Sequence, residues 1–184
     1  MTVPNILTLI RILLTPILIC FLAERKLNQA LVVFLVAGLT DGLDGFCARL
    51  FRQQSRLGAI LDPLADKFLL VSSFLILGHI GLIPGWLVVI AVARDVVIVT
   101  GVLSLFLLHY RVEIRPTRLG KLTTLLQLMS VLFALSSSLI TAPSVVYSLL
   151  FAATALFSVA TGIQYVRKGI MLVQCQRMQT NLKQ

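Results

Sequence analysis

Residues 41–66 read DGLDGFCARLFRQQSRLGAILDPLAD. Asp41 and Asp44 stand three apart, and Asp62 and Asp66 stand four apart. On a helix each pair shares one face. Between the pairs runs the basic turn RLFRQQSR. The surroundings are apolar on both sides, and a carboxylate in such a run is costly unless it is paired or wetted. At the rise of a helix, Asp41 lies roughly 12 Å in from Arg49 and Asp66 roughly 15 Å in from Arg56. The two pairs are therefore expected at similar depth, facing each other across a helical hairpin.

The rest of the chain sets the solvent. It has 184 residues, of which 58% are hydrophobic and 12% charged. A soluble domain of this size cannot bury so much apolar surface, so a bilayer is the expected environment. Six apolar segments, near 5–23, 29–51, 57–79, 83–108, 118–140 and 144–167, are separated by charged or Pro/Gly breaks. In lipid the backbone must satisfy its own hydrogen bonds, so each is predicted as a transmembrane α-helix. The first segment carries Arg11 and has no basic stretch before it, which reads as a retained helix and not a signal peptide. The expected fold is an all-α integral-membrane bundle of six helices, a single domain over 1–184.

The net charge of +9 invites a nucleic-acid reading. The basic residues instead sit in short turns between apolar runs, so no nucleic-acid partner is expected. Arg49, Arg52 and Arg56 follow the second segment, and Arg111, Arg115, Arg118 and Lys121 follow the fourth. Arg167, Lys168, Arg177 and Lys183 lie in the tail. The 80–82 and 141–143 turns hold no Lys or Arg, and the 24–28 turn holds only Arg25 and Lys26. This asymmetry predicts cytoplasmic termini and a site at the cytoplasmic side of the bundle. Residues 166–184 read as a short basic amphipathic helix on the membrane surface. Cys20, Cys47 and Cys175 are far apart and form no metal or redox spacing.

Four facing carboxylates repel one another, and protons or cations must neutralise them. Oxygen-only ligands favour a hard cation, and four carboxylates suit two divalent ions handling a phosphate. Gly45 and Ala48 are small enough to admit a ligand, Arg49 can pair with a diphosphate, and Gly58 gives a second close approach.

Together, Asp41, Asp44, Gly45, Ala48, Arg49, Gly58, Asp62 and Asp66 match the signature of the CDP-alcohol phosphatidyltransferases at every position and spacing. The resemblance extends along the chain, including the Pro4-Asn5-Ile-Leu-Thr8-Leu-Ile-Arg11 opening typical of the branch making glycerol-headed phospholipids. It implies CDP-diacylglycerol as donor, loss of CMP, and two ions (Mg²⁺ or Mn²⁺) on Asp41, Asp44, Asp62 and Asp66. It also implies Asp66 as general base, CMP contacts from Gly45, Ala48, Arg49 and Gly58, and a homodimer. Asn5 and Thr8 are further nucleotide candidates, with helix capping as the alternative. Arg11 either meets lipid phosphate or snorkels.

Acceptor recognition needs cations beside the metals, and Arg94, Arg115, Arg118 and Lys121 are the candidates. Arg94 lies within a span and needs a partner; Asp95 points about 100° away on a helix. Lys67 reads as a counter-ion to the carboxylates. The acceptor is expected to be glycerol 3-phosphate, as in phosphatidylglycerophosphate synthases. The alternative is phosphatidylglycerol, because Arg94-Asp95, Ile114-Arg-Pro116 and Lys121-Leu-Thr-Thr124 with Gln127 are similar to mitochondrial-type cardiolipin synthases. A cation-coupled transporter is a rival reading of intramembrane aspartates, but carboxylates clustered beside Arg-rich turns suit a surface substrate better.

Overall fold

A computed structural model describes residues 3–51, 58–107, 117–139 and 143–181, with side chains described for 9–40, 65–101, 117–139 and 143–171. The described chain is all-helical. Six helices run in order: α1 Val3–Ala23, α2 Leu27–Phe51, α3 Gly58–His79, α4 Gly85–Leu107, α5 Arg118–Ser136 and α6 Ser144–Asn181. Each of the six apolar segments is one helix.

The helix ends have local causes. After α1, Lys26 N–H donates to the Phe21 carbonyl (2.9 Å) and Arg25 N–H to that of Leu22 (3.0 Å). This pattern closes a helix through a left-handed residue, here Arg25 at φ 56°. Gly81, at φ 83°, does the same after α3, where its freedom from a Cβ is needed. Thr117 caps α5 by accepting from Gly120 N–H at 3.1 Å.

α1 packs against both α2 and α3, and α6 against both α4 and α5. α1 thus lies against both helices that carry the aspartate signature. Among the described residues the apolar core includes Leu18 and Leu22 of α1, Phe34 of α2, Phe74 and Leu77 of α3, Leu87 of α4, and Leu135 of α5. A Cβ at Gly78 would come within 2.6 Å of Val88 Cγ2, so the missing side chain sets how closely α3 and α4 approach.

The outer surface is apolar as well. Leu13, Val32, Leu39, Phe68, Val89, Leu149 and Leu156 are all well exposed on it. Water would penalise such a continuous surface, and lipid would not. By length and composition, α5 and the Ser144–Met171 stretch of α6 can each cross a membrane. α6 also continues without a break past residue 166, where the sequence suggests a separate tail helix. At 38 residues it is roughly 57 Å long, against about 30 Å of hydrocarbon.

Candidate functional site

The site begins with two helical backbones. Residues 41–50 lie in α2 and residues 58–66 in α3, so the i, i+3 and i, i+4 spacings are spacings on helices. The side chains of Asp41, Asp44, Gly45, Ala48, Arg49, Gly58 and Asp62 lie outside the described residues, as do those of Asn5 and Thr8 in α1. Arg115 lies outside them altogether.

Asp66 is described, and its surroundings change the reading of Arg11. Arg11, on α1, donates through Nη1 to Asp66 Oδ1 on α3. Arg11 is only 1% exposed, whereas the Asp66 side chain is 40% exposed. Arg11 thus neither snorkels nor reaches out to a lipid headgroup; it is a buried cation set against one signature carboxylate. A buried charge is tolerated when it is paired, and an arginine inside an apolar run predicts an acid nearby. That signal was present in the sequence; the identity of the partner was not, because 55 residues separate the pair.

The second polar centre joins α3 to α4. Lys67 Nζ donates to Asp95 Oδ1 at 2.5 Å, and Arg94 Nη1 donates to the same oxygen at 2.6 Å. Lys67 donates to Asp95 of α4, and the neighbouring Asp66 attracts it as well, so it is a counter-ion to both carboxylates. One expectation is corrected here. Arg94 does reach Asp95, because a long guanidinium arm can fold back across the 100° that separates neighbouring side chains on a helix. Arg94 and Asp95 are buried, while Lys67 is partly open. Arg118 and Lys121, in the first turn of α5, are exposed. Of the four acceptor candidates, Arg94 is therefore enclosed, two face outward, and one is not described.

Behind this centre, α5 and α6 are joined by hydroxyls. Thr123 and Thr161 meet at 2.6 Å, and Ser130 and Thr154 at 2.9 Å. All four are buried, and such pairs let apolar helices hold one another without charge. Gln127 on α5 lines a narrow cleft with Asp95, Leu70 and Phe74.

The donor chemistry fits a hard divalent ion. The signature supplies carboxylate oxygens only, and Asp66 offers a half-exposed carboxylate fixed by a charge-assisted hydrogen bond.

Comparison with known proteins identifies the family. A family model described as CDP-alcohol phosphatidyltransferase matches residues 1–164. Cardiolipin synthases (CMP-forming) of Rattus norvegicus and Homo sapiens are each 35% identical over 94% of this chain and 63% of their own. A CDP-diacylglycerol–glycerol-3-phosphate 3-phosphatidyltransferase of Aquifex aeolicus is 37% identical over 72% of this chain and 74% of its own. The chain thus spans somewhat less than two thirds of the length of those two cardiolipin synthases. Because the matched region takes in all four signature aspartates and both helices that carry them, this chain belongs to the CDP-alcohol phosphatidyltransferase family.

Proposed function

We propose that this protein transfers the phosphatidyl group of CDP-diacylglycerol to a glycerol-type alcohol and releases CMP. The family match across the aspartate signature carries this reading. The acceptor oxygen forms a bond to the β-phosphorus, the bond from that phosphorus to CMP breaks, and CMP leaves with the electron pair. Asp66 takes the hydroxyl proton as the new bond forms. Asp41, Asp44, Asp62 and Asp66 hold two divalent ions, Mg²⁺ or Mn²⁺, which when bound offset the charge of the diphosphate. Arg11 holds the Asp66 carboxylate in place from α1. Gly45, Ala48, Arg49 and Gly58, with Asn5 and Thr8, form the CMP side.

The acceptor is glycerol 3-phosphate on the first reading. A second reading, phosphatidylglycerol, is favoured by the Arg94-Asp95 pair and by the cardiolipin synthase likeness over nearly all of this chain. The six helices span the membrane with both termini and the site on the cytoplasmic side, consistent with the basic turns and the apolar exterior. The protein works as a homodimer in that membrane, which cross-linking in native vesicles would test.

One assay tests the activity. Purified protein is given CDP-diacylglycerol with Mg²⁺ or Mn²⁺, and glycerol 3-phosphate and phosphatidylglycerol are offered in parallel. CMP release with a new lipid product from one acceptor is expected. No CMP release with either acceptor and either metal overturns the proposal.

A further inference from the structure

The turn between α1 and α2 carries charge that the proposed chemistry does not use. Residues 24–26 read Glu-Arg-Lys, whereas the α3–α4 turn at 80–84 holds no Lys or Arg. Both turns close a helix through a left-handed residue. Gly81, at φ 83°, adopts that conformation without strain; Arg25, at φ 56°, has a Cβ that it crowds. The side chain displayed there is a guanidinium with no hydrogen bond or ion pair among the described residues.

Arg25, Lys26, Leu27, Asn28 and Gln29 line a cleft of about 320 Å³, closed on the α5 side by Ser138. Ser138 Oγ donates to Asn28 Oδ1 at 2.7 Å, which leaves the Asn28 amide its N–H groups to give. Lys26 pairs with Glu24 at 2.6 Å, but both side chains are more than half exposed, and such pairs are weak. Arg25 and Lys26 against Glu24 leave the turn one net positive charge. Two cations and a set of N–H donors around one cleft are the chemistry of an anion site.

Along α2 the surface then turns apolar. Val32, Leu35, Val36 and Leu39 follow Asn28 at helical spacing and are 43–66% exposed. The lane from Asn28 to Leu39 is roughly 16 Å long, about half the hydrocarbon thickness of a bilayer. A free phosphate would use the cleft alone, whereas a phospholipid uses both cleft and lane.

We propose that this cleft binds the phosphate of an anionic phospholipid whose acyl chains lie along the α2 lane. A phosphodiester of charge −1 matches the single net charge of the turn, and a zwitterionic headgroup would bring its own cation to it. The site is separate from the Asp66 region. Arg25 follows Arg11 by 14 residues, which is roughly 20 Å along α1. The lipid bound here therefore belongs to the leaflet away from Asp66, and its binding does not depend on the transferase reading.

The test reads the unfolding temperature of the full-length protein in detergent. Dihexanoyl phosphatidylglycerol is titrated against wild type, Arg25→Lys and the double variant Arg25→Gly/Lys26→Gln. Glycine suits the left-handed position, so the double variant keeps the turn; Arg25→Gln alone serves the same comparison if it does not fold. Half-maximal stabilisation of the double variant is expected to need about tenfold more lipid than wild type, since each cation near a lipid surface contributes measurably to anion binding. Arg25→Lys, which keeps the charge, is expected to stay near wild type. A lipid acting only at the transferase site would stabilise all three proteins equally, and that result overturns the proposal.

Two further ligands separate the sources. Dihexanoyl phosphatidylcholine is expected to stabilise wild type less than the anionic lipid does, and an equal effect overturns the charge requirement. Sodium phosphate at the same concentration is expected to do little. Stabilisation by phosphate that matches the lipid would make the cleft a site for free phosphate and overturn the lipid assignment.

Discussion

Asp66 and Asp95 are both aspartates inside apolar helices, and the fold treats them differently. Asp66 meets the buried Arg11 from α1 and keeps a side chain 40% exposed. Asp95 is enclosed and receives Lys67 and Arg94 on a single oxygen. An open carboxylate can reach a substrate or a metal. A closed carboxylate crowded by cations can only organise its neighbours. The same residue type is thus open at one place and enclosed at the other, and the roles proposed for them, chemistry for Asp66 and architecture for Asp95, follow that difference in access.

The largest expected effect comes from the open member. Asp66→Asn should lower phosphatidyl transfer by about 10²–10⁴-fold, the range that a positioned base contributes. The variant should still fold and insert, but with a lower unfolding temperature in detergent, because the buried Arg11 loses a charged partner. Retained turnover would remove Asp66 from the base role and erase the chemical half of the contrast.

The closed member should act on stability. Asp95→Asn strands two cations, Lys67 and the buried Arg94, and should cost about 3–5 kcal/mol in equilibrium unfolding. Adding Lys67→Met to Asp95→Asn should recover part of that loss, because one stranded charge is removed. A further loss in the double variant would mean that the lysine stem, and not its charge, matters to the packing.

Arg11→Met sits between the two. It keeps the apolar bulk at a buried position and leaves a carboxylate that solvent can reach, so the cost in stability should be smaller, about 1–3 kcal/mol. Activity should fall with it, since Asp66 loses its anchor. A stability loss as large as that of Asp95→Asn would show that Asp66 depends on burial as much as Asp95 does.

The smallest effect should come from the uncharged seam. Thr123→Val removes the hydroxyl that meets Thr161 and should cost about 1 kcal/mol. Transfer activity should be unchanged. A larger loss would place the α5–α6 hydroxyls on the same footing as the ion pairs.

Much of the fold was legible before any coordinates. The segment read over 57–79 is helix Gly58–His79, and that read over 29–51 is helix Leu27–Phe51. The structure adds the local causes of two ends: Thr117 caps α5, and Gly81 closes α3. The end of α6 was misjudged because basic residues from Arg167 onward mark where the apolar run stops, not where the backbone must break. Nothing in 166–181 forbids continued helix, so the helix continues.

The local sequence by itself determined which residues carry charge into the apolar helices and which share a helix face. It placed Asp41 with Asp44 and Asp62 with Asp66, because helical periodicity is a property of the chain alone. The tertiary structure decided the partners. Arg11 found Asp66 across 55 residues, Lys67 turned to Asp95 across 28, and Arg94 folded back on its own neighbour. Those choices depend on which helices pack together and on how deeply each side chain is buried. A buried charge settles on the opposite charge that packing brings nearest, and distance along the chain does not measure that.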